Sequence, residues 1–205
     1  MSQVVLTCTF LAHFRLLLLN KLLEDGNTLF RKNSLSEAAH RYQYALRRMP
    51  DTFAGQHRPI FEQLNVHLLL NLSRCRRKNG QTKEAVELAD RVLAFNPASY
   101  EAHYAKAKAN KEGGRLREAL ACLMQAAKVA PAQQNRDLHR VILRLKEEIR
   151  AEEGKAAKEG KTVHNNNNGS LNKHDTDSTS GVDSTGSSCC NKDFENDVSS
   201  TSVHI

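Results

Sequence analysis

The apolar positions change their pattern twice along the chain. The opening stretch, MSQVVLTCTFLAHFRLLLLNKLL, is apolar almost throughout. Between about residue 20 and 153, apolar and charged residues interleave, and short side chains recur at a fixed step. After about Glu153 apolar residues nearly vanish. The last periodic segment, NRDLHRVILRLKEEIRAEE, places Leu138, Val141, Ile142, Leu145 and Ile149 on one helical face, which predicts a capping helix at about 135–153. Upstream of it, helix-breaking residues divide the chain into pairs of helices joined at Lys32-Asn33-Ser34, Asn79-Gly80 and Gly113-Gly114. Ser34 and Glu37 have the spacing of a capping box.

The pairs repeat. Ala85 and Ala119 are 34 residues apart, as are Pro97 and Pro131, whereas Ala38 and Pro50 precede their counterparts by 47. The additional 13 residues predict an insertion at 51–63, where Gly55 and Pro59 read as helix breakers. With units starting at 19, 66 and 100, the eighth column reads Gly26, Ser73, Ala107, the twentieth Ala38, Ala85, Ala119, and the twenty-seventh Ala45, Val92, Ala126. Small side chains in those columns let two antiparallel helices approach closely. Pro50, Pro97 and Pro131 close each second helix. Period, small columns and terminal prolines together match the tetratricopeptide layout, with Leu22, Leu69 and His103 standing where that layout has Trp. The expected fold is therefore all-α, a tetratricopeptide-type solenoid of three helix pairs (20–50, 66–97, 100–131) plus the capping helix. An apolar leader of undetermined structure precedes it at 1–19.

The tail and the charge complete the organisation. Residues 154–205 contain four consecutive Asn, then Ser, Thr, Asp and Gly, and cannot bury enough surface to offset the entropy of ordering, so a disordered low-complexity tail is expected. The tail holds five Lys against seven Asp and Glu, and the whole chain is +7, which leaves +9 on residues 1–153. Five cysteines without paired spacing indicate neither a disulfide framework nor a zinc site, and a reducing cytoplasm is the expected location. The apolar start breaks at His13 and Arg15 and has no basic n-region, so neither a transmembrane span nor a signal peptide is expected.

Three segments carry a narrower likeness. RYQYALRRMP, FEQLNVHLLLNLSRCRRKNG and SYEAHYAKAKA, with the insertion between the first and second, resemble the carboxy-terminal repeats of the TANC and rolling pebbles scaffold family over roughly 24–150. That resemblance implies an interaction module from large cortical adaptors of muscle-cell fusion and synapses. The ATPase-like and ankyrin regions of those adaptors have no counterpart in this sequence.

In a tetratricopeptide superhelix the first helix of each pair lines a concave groove. By register the groove receives Asn27, Phe30 and Arg31, then Asn71, Arg74, Arg77 and Lys78, then Tyr104, Lys108 and Lys111. Six cations there face Glu24, Glu101 and Glu112, a balance that suits an acidic extended or helical segment of a protein partner. Asn27 and Asn71 are candidates for bonding its backbone, and Phe30 and Tyr104 for apolar anchors. The competing expectation is a co-chaperone that holds a carboxylate tail. Asn27 and Asn71 match the asparagines of such clamps, but Leu23, Glu101 and Ala105 stand where the clamp has cations. Val203-His204-Ile205 reads as a candidate PDZ-domain ligand, and Ser180 and Cys189-Cys190 as weak modification signals. The cluster Arg74, Arg76, Arg77, Lys78 lies where cations complement a helix C-terminus and lacks an RNA-binding aromatic signature, so nucleic acid is not expected as partner. No phosphate-binding, nucleophile-elbow or metalloprotease motif occurs, and neither an enzyme, a cofactor nor a metal is expected.

Overall fold

The computed structural model describes residues 2–50 and 57–165, with side chains for 10–50 and 57–155. The chain divides into two units, Met1–Gly154 and Lys155–Ile205. Seven helices occur among the described residues: α1 (Ser2–Arg31), α2 (Leu35–Arg47), α3 (Arg58–Lys78), α4 (Thr82–Phe95), α5 (Tyr100–Glu112), α6 (Leu116–Val129) and α7 (Ala132–Asn165). No strand is found among them. Each helix packs on the next from α1 to α6, and first helices also meet one another, α1 on α3 and α3 on α5. This is a tetratricopeptide-type helical solenoid.

The repeat columns explain the packing. Ala38, Ala85 and Ala119 are fully buried, as are Ala45, Val92 and Ala126. In the eighth column Gly26, Ser73 and Ala107 are also buried. There each small residue faces a second helix. A Cβ on Gly26 would lie 2.5 Å from a ring carbon of Tyr42, so glycine is what admits the tyrosine. Ser73 instead donates its hydroxyl to the Ala85 carbonyl at 2.7 Å. The three inter-helix turns share one conformation: Asn33, Gly80 and Gly114, all in the fifteenth column, have φ of 61°, 78° and 75°. In each, the amide of the following residue reaches back to a carbonyl five residues earlier, as Gln81 does to Arg76 at 2.9 Å. That is the Schellman closure, which requires the left-handed residue.

Several boundaries differ from the sequence reading. Pro59 does not break a helix. It occupies the first turn of α3, where a missing amide hydrogen costs nothing, and α3 therefore begins inside the insertion at 51–63. The extension has a purpose in packing: Phe61 and Leu64 join Leu16 and Leu19 in one core cluster. The segment 1–19 correspondingly enters α1 from Ser2. α7 spans more than 135–153, starting at Ala132 and running through 154–165, the beginning of the expected disordered tail; AEEGKAAKEGK is rich in good helix formers, and extension of an existing helix is easy. The remainder of that tail lies outside the described residues. Ser34 makes no side-chain cap, because it closes the Schellman turn with its backbone. The side-chain cap occurs at Ser99, which accepts from the Ala102 amide at 3.2 Å. No helix among the described residues is long and apolar enough to cross a membrane.

Candidate functional site

The face made by α1, α3 and α5 collects the residues singled out by register, and side chains tie one helix to the next along it. Near the C-terminal end of α1, the side-chain oxygen of Asn27 accepts from Tyr42 Oη at 2.8 Å and from Asn71 Nδ2 at 3.1 Å. Asn27 is thus a junction of α1, α2 and α3, and its amide nitrogen reaches Glu24 at 3.5 Å. Burial raises the Tyr42 phenol well above its ordinary range, so that oxygen stays a donor at any ordinary pH.

At the end of α1, Lys78 of α3 sits 5.3 Å from the centre of the Phe30 ring. Arg31 turns back to Thr28 at 3.1 Å. On α5, Lys108 lies 5.3 Å over Tyr104, whose ring stacks on Tyr100 with centroids 5.8 Å apart. Such cation–aromatic contacts contribute about 0.5–1 kcal/mol when exposed and hold the cation at a defined place. Arg74 is half-buried on α3 between Asn71 and Lys78.

Cations of this face also pair across helices. Arg77 of α3 makes an ion pair with Glu112 of α5, and its side chain is only 13% exposed. Lys111 of α5 meets Glu148 of α7 at 2.9 Å, both side chains a little over one-third exposed. Glu148 is the group that register counting over three units leaves out, since it belongs to the capping helix; the outward half of the apolar pattern at Leu145 and Ile149 was the signal that could have found it. Tyr42 escaped for a similar reason, lying on a second helix. Leu23, which stands where a carboxylate clamp has a cation, is buried in the core, as is Leu70 of α3.

His67 of α3 is held below the ordinary histidine range by burial, with Glu101 of α5 opposing that shift. Glu101 also accepts from Ser99 at 3.2 Å. Cys75 is fully buried, and its thiol is pushed up to about 11 by desolvation, which makes it a packing residue and not a nucleophile. Among the described residues no group of His, Cys, Asp and Glu could hold a metal ion. A cleft of about 400 Å³ opens away from this face, between α2 and α4 over Leu72 and Arg76. Val203, His204 and Ile205 lie outside the described residues.

The tetratricopeptide repeat family model matches residues 76–142. Human zinc finger CCCH domain-containing protein 7B is 29% identical over 118 residues, covering 58% of this chain; the chain spans 12% of that protein's length. Among solved structures, the C-terminal TPR-containing domain of a Plasmodium falciparum FK506-binding protein superposes with a TM-score of 0.56 at 26% identity, over 68% of this chain and 95% of that one. The Hsp90 co-chaperone Cns1 of Saccharomyces cerevisiae superposes with a TM-score of 0.57 at 21% identity, over 72% of this chain and 45% of that one.

Proposed function

We infer that residues 20–153 serve as a non-catalytic scaffold or adaptor module, gripping an acidic extended or helical segment of a partner protein in the groove of α1, α3 and α5. Tetratricopeptide domains bind proteins, and what carries the more specific reading is the arrangement of donors on one face. Asn71, Arg74 and Lys78 follow one another along α3 at helical spacing, with Asn27 and Phe30 beside them on α1 and Tyr104 and Lys108 on α5. A segment laid across them meets amide donors, cations and ring faces in succession. The resemblance to TANC and rolling pebbles scaffolds supports a place for the module in the cytoplasm at the cell cortex, in cell fusion or at synapses, with Val203-His204-Ile205 addressing a PDZ domain.

The co-chaperone alternative draws on the likeness to Cns1 and on the meeting of Asn27 with Asn71. Electrostatics disfavours it. Leu23, at the first clamp cation's position, is buried, and Glu101 at a third-unit position is exposed and would repel a terminal carboxylate.

Capture of partners by the module tests the reading. Asn71→Ala and Arg74→Glu should each weaken capture, the charge reversal by about tenfold. Undiminished capture by both variants would exclude the groove as the binding surface. Tight binding of an acidic peptide only when its terminal carboxylate is free would favour the co-chaperone reading.

A further inference from the structure

α1 is apolar on two faces ahead of the groove residues. One face, with Leu16, Leu19 and Leu23, is buried in the first core. The other is turned outward: Phe10, Leu11, Phe14 and Leu17 are each more than half exposed, Phe10 at 76%. Phe10, Phe14 and Leu17 follow one another at steps of four and three residues, which sets them in one stripe along the helix, and the exposed Lys21 continues it by a further turn. Single apolar residues on a surface are ordinary, but four of this size gathered on one ridge mark a place of contact. The charge around the ridge has one sign. Residues 1–23 contain Arg15 and Lys21 and neither Asp nor Glu. The first carboxylate, Glu24, comes after the stripe, where Asn27 reaches it at 3.5 Å.

We propose that this stripe docks the module on an anionic lipid surface, with Phe10, Leu11, Phe14 and Leu17 entering the acyl boundary and Lys21 at the level of the headgroups. Acyl chains adapt to a convex apolar ridge, and lipid phosphates and carboxylates receive the cations, which long side chains reach by snorkelling. The other occupants fit less well. A second copy packed stripe to stripe would bury Lys21 with no acidic residue of 1–23 opposite it, and an unpaired ammonium is costly to desolvate. A partner helix needs a groove to lie in, and the clefts of this structure open elsewhere, one between α2 and α4 over Leu72 and one beside Lys106 and Asn110. Since no described helix is long and apolar enough to cross a membrane, α1 lies along the surface. The groove residues Asn27 and Phe30 follow later on α1, so the proposal does not rest on the groove reading.

The experiment uses the full chain and vesicles of phosphatidylcholine, either alone or mixed with phosphatidylserine, with the bound fraction read by co-sedimentation. The wild type should bind the mixed vesicles and bind the neutral ones far less. Replacing both rings, Phe10→Gln with Phe14→Gln, leaves the net charge as it is and should weaken binding by about tenfold or more. Lys21→Gln should weaken it by roughly fivefold. Lys83→Gln, an equal loss of charge on the exposed side of α4, should change it by less than about twofold. The chain has no tryptophan, so Phe14→Trp introduces a single reporter at an exposed position, and its emission should shift to the blue when mixed vesicles are added. Thermal melts establish that each variant is folded, and none of the replaced side chains belongs to the core.

Undiminished binding by the folded double variant overturns the proposal, because the basic charge of the chain, and not the stripe, would then hold the vesicle. Failure of the folded wild type to bind mixed vesicles overturns it too, as does equal binding to neutral ones, or Trp emission that stays where it was in buffer. Sedimentation velocity without lipid supplies the remaining test. Self-association of the wild type that the double variant abolishes would assign the stripe to a second copy and overturn the lipid reading. Partner capture by Asn71→Ala and Arg74→Glu decides the groove reading separately, whichever way the vesicles answer.

Discussion

The two halves of the solenoid bury different material. The first core, shared by α1 to α4, is built from large side chains: Leu16, Leu19, Leu64, Leu68, Leu69 and Tyr42 are all nearly or wholly inaccessible. The second, under α5, α6 and α7, pairs Leu123, Leu138, Ile142 and Leu145 with Ala107, Ala119 and Ala126. Among the first helices, α1 and α3 are 30 and 21 residues long where α5 has 13. Burial of one leucine is favourable by about 1.5–3 kcal/mol, and an alanine supplies a small part of that. In a repeat protein, where stability sums over units and their interfaces, the second core should be the one that opens first. The face that α5 contributes, with Tyr104, Lys108 and Lys111, therefore rests on the looser support, and the face of α3 on the firmer.

The comparison can be broken at its strongest point. Tyr42 fills the gap left by Gly26, donates to Asn27, and lies at the centre of the first core. Tyr42→Ala should lower global stability by about 3–5 kcal/mol, the cost of an emptied aromatic site. The denaturation midpoint should fall with all helices melting together. A loss below about 1 kcal/mol would mean that the first core collapses onto the vacancy and is not the close-packed half.

A smaller and more local effect is expected in the second core. Leu145→Ala removes the deepest contact of α7 and should cost about 2–3 kcal/mol. Hydrogen exchange should show it mostly as faster opening of α5, α6 and α7, with amides of α1 and α3 little changed. Equal acceleration everywhere would show a single cooperative unit and remove the distinction between the halves.

Particular residues show how far this organisation can be read from a sequence. Ala38, Ala85 and Ala119 were legible because a repeated contact imposes the same size limit three times, and all three are buried at helix crossings. The left-handed turns at Gly80 and Gly114 were legible for the same reason, and Asn33 fits their column because asparagine tolerates that conformation. Pro59 was misread because proline ends a helix or begins one depending on what precedes it, and the length of α3 is set by Leu16 and Leu19 across the core. The pairing of Lys111 with Glu148 depends on how α7 rotates against α5, which no repeat column encodes. Asn27 illustrates the remaining difficulty. Its place on the face follows from register, but the tyrosine that uses its carbonyl oxygen comes from a different helix.

The smallest effect falls on the boundary between the two cores, where His67 of α3 faces Glu101 of α5. Burial disfavours the imidazolium more than Glu101 favours it, so the folded-state pKa lies below the ordinary 6.5. Below 6.5 the unfolded chain takes up a proton that the folded chain resists. The contribution of neutral His67 is thus fully present above the unfolded value and is lost as pH falls from there towards the folded one. Denaturation midpoints measured from about pH 7.5 down to about 5 should fall for the wild type, and fall less for His67→Gln. Glu101→Gln removes the one charge that eases protonation, and should make the loss larger. A decline of the same size in His67→Gln would assign the pH dependence to other groups, and a smaller decline in Glu101→Gln would mean that α5 does not press its carboxylate on α3, leaving the boundary between the cores without the electrostatic contact described for it.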